Sequence, residues 1–265
     1  MLTTLFSDDG ASAHIVHYGA QLTSWIPSGQ TEQLFMSAAS PLDSGKPLRG
    51  GVPVIFPQFS ELGPLPRHGF ARNLTWTKRA TEAGNRAVFV LRDDETTRSI
   101  WPHAFLAELG FTVSGTALRM DLTIHNTGNT AFEFTSALHT YLHVAHISDV
   151  RISGLKGAAF REAGGEYLET SESLQIAGHV DRVYLNTSPE LEVRQSQQRV
   201  LITSAGFKDT VVWNPWKDLS ETMADMEPHG YERMICVESA AIAQPIYLEP
   251  GGVWCGSQQL QSTRL

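Results

Sequence analysis

The feature that most constrains the fold of this chain is a strict alternation of apolar and polar side chains over residues 117–125. Leu118, Met120, Leu122 and Ile124 fall on one side, and charged or polar residues fall on the other. A period of two is typical of a β-strand with one face buried and the other in water. The polar tetrad that follows, residues 126–129, predicts a turn into a neighbouring strand.

The same pattern recurs along the chain and predicts an all-β protein. Residues 132–144 alternate again and are interpreted as one strand, and 218–226 is the one segment interpreted as a short helix. Many short strands with few helices indicate a sandwich or barrel. No break in composition suggests a linker, so we expect one domain over residues 1–265. Further strands are predicted at 14–18, 20–26, 87–92, 108–114, 191–195, 199–204, 210–213, 233–238 and 245–248.

Composition and charge exclude several classes of protein. The 265 residues are 42% hydrophobic and 18% charged, unlike a disordered chain. A net charge of −8 argues against a general surface for nucleic acid or anionic membrane. The sequence has no apolar run of membrane-spanning length, and its first residues lack the basic and apolar regions of a secretory signal, so we expect neither a membrane span nor secretion. Two cysteines form neither a disulfide framework nor a metal spacing, so we expect a cytoplasmic protein.

A first candidate site lies in the glycine- and proline-rich stretch 48–76. It carries Arg49, Arg67 and Arg72 together with His68 in an otherwise acidic chain. Guanidinium groups match the oxygens of phosphate or carboxylate in a bidentate way. The stretch is interpreted either as an anion site or as a solvated loop with incidental salt bridges.

A second candidate contains His139, His143 and His146. On a helix the three side chains would share a face and could ligate zinc. On a strand His146 points away from the other two, and the surrounding alternation favours the strand. Histidine also suits proton transfer near neutral pH, although a structural role would look the same in sequence.

A third candidate is Glu238, which shares a strand face with Met234 and Cys236. A carboxylate beside apolar neighbours is costly to bury without a partner. It is interpreted either as a general base whose partner is a histidine elsewhere, or as a glutamate at a strand end in solvent.

Taken together, these segments resemble the D-hexose-6-phosphate mutarotases, a branch of the aldose 1-epimerase superfamily. The resemblance implies a single-domain antiparallel β-sandwich of the galactose-mutarotase type. It also implies interconversion of the α and β anomers of a hexose 6-phosphate, glucose 6-phosphate by default, without metal or organic cofactor. The motifs that carry it, in chain order, are Arg49-Gly-Gly-Val-Pro, Phe56-Pro-Gln-Phe, Leu-Pro-Arg67-His68-Gly-Phe-Ala-Arg72, Leu138-His139-Thr-Tyr141, Val212-Trp-Asn-Pro-Trp216, Met223-Ala-Asp-Met226 and Ile235-Cys-Val-Glu238.

The resemblance also assigns roles to individual residues. By it, His139 is the catalytic histidine and Glu238 the catalytic carboxylate, and near neutral pH we expect an at least partly protonated imidazole beside an ionised glutamate. The resemblance further implies that Arg49 and Arg72 bind the phosphate. It implies substrate contacts for Asp181 and for Arg67, where relatives often carry an amide or small residue. We expect His68 either to assist at the sugar or to orient the loop.

The alternatives belong to three other classes. An aldose 1-epimerase for free hexoses would need no arginine clamp, and a carbohydrate-binding module would need no base opposed to a histidine. A metal-dependent lyase or hydrolase would use the histidine cluster. We therefore expect a monomeric enzyme whose partner is a small sugar phosphate, with no nucleic acid, membrane or metal partner.

Overall fold

The computed structural model describes residues 1–41, 47–80 and 84–265. In this part of the chain the strands form three sheets. Within each sheet, every ladder between neighbouring strands is antiparallel. The all-β architecture predicted from the alternation is therefore confirmed. The smallest sheet has three strands in chain order, namely β1 (Leu2–Phe6), β2 (Ser12–Val16) and β3 (Gln21–Ile26).

Two larger sheets form the body of the molecule. The eight-stranded sheet has the spatial order β13 (Gly165–Leu168), β12 (Ala159–Glu162), β15 (Val180–Tyr184), β18 (Asp209–Asn214), β19 (Met234–Leu248), β9 (Phe132–Leu138) and β4 (Val54–Ile55), and β10 (Tyr141–His143) also pairs with β19. The nine-stranded sheet has the order β14 (Ser173–Gln175), β11 (Arg151–Ser153), β16 (Glu190–Arg194), β17 (Gln198–Ala205), β20 (Val253–Arg264), β8 (Ala117–Asn126), β7 (Phe105–Ser114), β6 (Arg86–Arg92) and β5 (Thr77–Arg79).

Helical segments are few and short in the described ranges. None of these helices is long or apolar enough to cross a membrane. The α-helices are α1 (Glu95–Ile100) and α2 (Trp216–Glu221), and the 3₁₀ turns are Ala71–Asn73, Ile147–Asp149 and Gly230–Arg233.

The inner faces of the two large sheets pack against each other and form the main core. The four apolar residues of β8 that the alternation singled out are fully buried there. Phe134 on β9 meets Trp254 on β20 edge to face, with 5.6 Å between ring centroids. Successive strand residues point to opposite faces, so the strands of the eight-stranded sheet present every second side chain to its outer face. That outer face carries the site described below.

Three sequence predictions differ from the structure in instructive ways. The strand expected over 132–144 ends at Leu138 and resumes at Tyr141. The strands expected at 233–238 and 245–248 are parts of the single strand β19, whose register shifts between Ala241 and Ile246. A bulge inserts residues without ending the strand, and in sequence it looks like a loop. The helix expected over 218–226 is observed as α2, which begins at Trp216 and ends at Glu221.

Candidate active site

All seven predicted site residues line one cavity of about 180 Å³ on the outer face of the eight-stranded sheet. They come from four separate parts of the chain: the arginine-rich stretch, the break between β9 and β10, strand β15 and strand β19. The remaining lining residues are Phe59, Ser60, Val211, Trp213 and Met223.

The strand register brings His139 and Glu238 together. Leu138 pairs with Ser239 and Tyr141 with Cys236, so the register is continuous across the two-residue break and sets His139 opposite Glu238. Directly opposite residues of antiparallel strands have side chains in contact. His139 Nδ1 lies 3.1 Å from Glu238 Oε1, although the two atoms are not aligned for a hydrogen bond.

This pair is almost completely removed from solvent. The side chains of His139 and Glu238 are 10% and 2% exposed. Neither His139 Nδ1 nor Glu238 Oε2 has a hydrogen-bond partner among the described residues. Buried polar atoms are normally satisfied, and a catalytic role is one of the reasons for which an unsatisfied one is retained. The cavity therefore holds a proton donor–acceptor pair with unused hydrogen-bonding capacity.

Burial shifts both groups toward their neutral forms. The pKa of Glu238 is raised well above its usual value by desolvation, with the negative charge of Asp181 adding to the effect. The pKa of His139 is lowered well below its usual value by desolvation and by the nearby His68 and arginines. In the ligand-free site, burial therefore favours the neutral carboxyl group and the neutral imidazole. These shifts run against the ionised glutamate and at least partly protonated histidine expected from the sequence, and that expectation stays a prediction.

Tyr141 and Asp225 connect the histidine to the first arginine, and neither was assigned a role from the sequence. The Tyr141 ring stacks on His139 with 4.7 Å between centroids, and its hydroxyl accepts a 3.0 Å hydrogen bond from Arg49 Nη1. Asp225 accepts from Arg49 Nε and Nη2, both at 3.2 Å. Three of the five guanidinium N–H groups are thereby used, and two are left for an incoming anion.

The second arginine, Arg72, sits in the 3₁₀ turn Ala71–Asn73 and is only partly satisfied. Its Nη2 donates to the backbone carbonyl of Arg67 at 3.1 Å, and its buried Nε has no partner within the described ranges. No carboxylate among the described residues forms an ion pair with it. Arg67 itself is exposed at the cavity rim. A half-buried cation with unused donors is well suited to bind an anion.

His68 has a structural contact and also faces the cavity. Its Nδ1 accepts a 3.2 Å hydrogen bond from the backbone N–H of Ser60, and its backbone adopts a left-handed φ of 66°. Burial and the neighbouring arginines lower the pKa of His68 to about 3. With Nδ1 acting as acceptor, the ring proton of the neutral imidazole is on Nε2. The ring centre lies 5.9 Å from that of His139, so His68 orients the loop and presents an N–H donor beside the catalytic candidates.

Asp181 and the two remaining histidines complete the predicted set. Asp181 lies on β15 opposite Trp213 of β18, and both line the cavity. His143 is half-buried on β10 away from the cavity, and His146 accepts a backbone hydrogen bond from Ser148. Among the residues described, no three His, Cys, Asp or Glu side chains come together as a metal-binding group.

The protein is thus a β-sandwich that carries a buried carboxylate–imidazole pair on the outer face of one sheet, and comparison with known proteins identifies its family. Residues 1–261 match the family described as Aldose 1-epimerase. The chain belongs to the aldose 1-epimerase family.

Individual relatives agree with this assignment. A protein of Cenchrus ciliaris named "Putative glucose-6-phosphate 1-epimerase" is 34% identical over 92% of this chain and 79% of its own length. An Escherichia coli K12 protein of the same name is 38% identical over 84% of this chain and 77% of its own. The crystal structure of a "putative mutarotase" of Salmonella typhimurium superposes with a TM-score of 0.89 at 33% identity, covering 96% of this chain and 88% of that one. The predicted mutarotase-type sandwich is confirmed.

Proposed function

We propose that this protein interconverts the α and β anomers of a hexose 6-phosphate, with glucose 6-phosphate as the expected substrate. One observation carries the proposal: the buried pair of His139 and Glu238 shares its cavity with three arginines. The pair supplies proton transfer, and the guanidinium groups supply a counter-charge for phosphate. The names of the plant and bacterial relatives support the same substrate.

Opening a pyranose ring requires two proton transfers at the anomeric centre. Glu238 takes the proton of the C1 hydroxyl while His139 delivers a proton to the ring oxygen. The C1–O5 bond breaks and the C1–O1 bond becomes a carbonyl. Rotation about C1–C2 presents the other carbonyl face, and reclosure returns both protons. Each transfer by a positioned group contributes on the order of 10²–10⁴ in rate.

The substrate phosphate supplies a negative charge that can bind the arginines and that the ligand-free site lacks. Arg49, Arg67 and Arg72 outnumber the nearby carboxylates Asp225 and Asp181, and this positive excess attracts the dianion of a phosphate monoester. The bound dianion cancels the positive field that lowers the pKa of His139. The shared proton can then move from Glu238 to His139, which produces the base and the acid that ring opening needs. Binding energy at the remote phosphate is thereby used at C1.

The remaining features of the proposal are its setting and partners. We propose a cytoplasmic, monomeric enzyme that takes only a sugar phosphate and uses no nucleic acid or membrane. Cys236 and Cys255 form no disulfide with each other, and this low, unpaired cysteine content supports the cytoplasmic setting. The acidic net charge supports the exclusion of nucleic acid.

The direct competitor is an aldose 1-epimerase for free hexoses, since both activities need the same acid–base pair. Exchange NMR between the α and β anomers separates them. The purified protein is added at equal concentration to glucose 6-phosphate and to glucose, and the catalysed exchange rates are compared. We expect acceleration with glucose 6-phosphate to exceed that with glucose by at least about tenfold. Equal acceleration of both sugars would favour the free-hexose enzyme, and acceleration of neither would favour a binding module.

A further inference from the structure

A chain of buried polar side chains crosses the interior of the sandwich directly beneath the site. Gln258 on β20 is fully buried, and its Oε1 accepts a 2.5 Å hydrogen bond from the hydroxyl of Thr140. Its Nε2 donates to Ser239 Oγ at 2.8 Å, and Ser239 in turn bonds Ser204 at 2.6 Å. The nine-stranded sheet is therefore tied to the eight-stranded sheet by side-chain hydrogen bonds.

This chain is unusual for its surroundings. Gln258 lies opposite Met120 of β8, and the neighbouring inner-face residues Leu118 and Leu260 are also fully buried. Placing an amide in such an interior is costly unless it is hydrogen-bonded. Replacing both partners of a buried hydrogen bond by apolar groups of similar shape is often close to neutral for stability. The stability of the core therefore gives no strong reason for a glutamine at this place.

The partners of Gln258 are the chain neighbours of the two catalytic candidates. Thr140 follows His139 and Ser239 follows Glu238. Because successive side chains point to opposite faces of a sheet, His139 and Glu238 face the cavity while Thr140 and Ser239 face the interior. One amide thus holds both segments from behind.

The segment of His139 also needs such support, because regular strand structure is interrupted there. Residues 139–140 lie between β9 and β10, and the Thr140 N–H turns back to the carbonyl of Leu138 at 2.9 Å. Two hydrogen bonds hold the backbone across the break. The His139 N–H donates to the Pro53 carbonyl at 3.0 Å, and the Val237 N–H donates to the Thr140 carbonyl at 3.1 Å. The Thr140 hydroxyl adds a contact that reaches the opposite sheet.

We propose that Gln258 is a positioning residue that fixes His139 relative to Glu238 through Thr140 and Ser239. This inference rests on the proposed acid–base function of the pair. Proton transfer tolerates little displacement, and a misplacement of about 1 Å typically costs on the order of 10² in rate. The role assigned to Gln258 acts on the turnover step and leaves the arginines that hold the phosphate unaffected.

The test replaces the amide by an apolar side chain of similar length. For Gln258→Met we expect kcat for glucose 6-phosphate anomerisation to fall at least tenfold while KM stays within about threefold. Gln33→Met is the matched control. Gln33 is equally buried and bonds Thr31 O and Ser262 Oγ, but it does not line the cavity. We expect the control variant to keep the wild-type kcat.

Variants at Thr140 test the path of the effect and remain useful if Gln258→Met folds poorly. Thr140→Val removes only the hydroxyl that bonds Gln258, and Thr140→Ser keeps it. We expect Thr140→Val to lower kcat as Gln258→Met does, and Thr140→Ser to keep the wild-type kcat. The double variant that combines Gln258→Met and Thr140→Val should be no slower than Gln258→Met alone. Additive losses would contradict a shared path.

A readout independent of turnover separates this inference from the proposed function. The ring ¹⁵N–¹H signals of His139 report its environment directly, with or without catalysis. We expect them to shift or broaden in Gln258→Met and in Thr140→Val, and to stay unchanged in Gln33→Met. If the wild-type protein fails to accelerate anomerisation, the proposed function fails while this test still applies. Unchanged His139 signals together with an unchanged kcat in Gln258→Met would overturn the positioning role.

Discussion

Glu238 and His139 face each other across adjacent antiparallel segments, with 3.1 Å between Oε1 and Nδ1 and almost no exposure to solvent. Their contact follows from a register that continues through the break between β9 and β10. The continuous register therefore sets the two residues opposite each other, and burial shifts both groups toward their neutral forms. Each of these properties leads to a prediction.

The raised pKa of Glu238 predicts a stability cost at neutral pH. The folded protein binds the proton more tightly than the unfolded chain, whose carboxyl has the ordinary value near 4.5. The stabilising contribution is present below about pH 4.5 and is lost as pH rises through the folded pKa. Glu238→Gln cannot lose a proton. We expect it to be more stable than wild type by about 1 kcal/mol or more at pH 8, since one pKa unit corresponds to about 1.4 kcal/mol.

Denaturant unfolding of ligand-free wild type and Glu238→Gln from pH 5 to pH 8.5 checks this prediction. We expect the difference in their free energies of unfolding to grow as pH rises. A wild-type protein more stable than Glu238→Gln at pH 8 would show that the carboxylate is stabilised when ionised.

The second prediction concerns the response of His139 to anions. Desolvation, the neighbouring His68 and the positive charges of Arg49, Arg72 and Arg67 lower its pKa, so an anion bound to those arginines raises it. Histidine-ring NMR titrations without ligand, with inorganic phosphate and with glucose measure the effect. We expect the pKa of His139 to rise with phosphate and to stay constant with glucose. Arg67→Met should raise it without any ligand, and a fall with phosphate would contradict the charge coupling.

Arg72 is predicted to recognise phosphate rather than sugar. Its unused donors point to a charge-assisted contact worth about 1.5–3 kcal/mol. For Arg72→Met we expect KM for glucose 6-phosphate to rise about 10- to 100-fold, with little change in any residual activity on glucose. Arg199→Met is the control, because Arg199 pairs with Glu192 on the nine-stranded sheet. Equal losses on both sugars would assign Arg72 to the architecture of the loop instead.

Asp225 is predicted to weaken anion binding at the clamp. Its carboxylate lies 3.1 Å from Arg49 Nη2, where it neutralises charge and competes with phosphate. For Asp225→Asn, which retains one acceptor for Arg49, we expect the Kd for inorganic phosphate to fall about threefold, since partly exposed charge pairs are worth up to about 1 kcal/mol. Isothermal titration calorimetry measures it. A higher Kd would mean that orientation of Arg49 by Asp225 outweighs the repulsion.

The sequence allowed the fold class to be predicted because alternation is a local property. Residues 117–125 lie in a strand that has the core on one side along its whole length, and the face predicted to be buried is buried in the structure. Short strands such as β11 and β14 were missed, since three residues are too few for a period to emerge. The bulge in β19 was missed because the register shift is set by pairing with β9. That the chain is a single domain stays a prediction.

The candidate site was predictable where a residue type is scarce or chemically distinctive. Clustered arginines in an acidic chain and an isolated glutamate among apolar residues were visible, and the resemblance connected them. Tyr141 and Asp225 were not assigned roles because their importance depends on contacts to Arg49 from distant parts of the chain. The directions in which the pKa values of His139 and Glu238 shift were not predictable either, since they are set mainly by burial that no local pattern encodes.

The most direct test of the account measures anomer exchange of glucose 6-phosphate with the catalytic pair altered. Exchange NMR is recorded for wild type, Glu238→Gln and His139→Ala at equal protein concentration, and binding of glucose 6-phosphate is measured in parallel by calorimetry. We expect each variant to lose at least about 10²-fold in catalysed exchange while Kd changes by less than about fivefold. Near-wild-type exchange in either variant would contradict the assignment of Glu238 and His139 as the base and the acid.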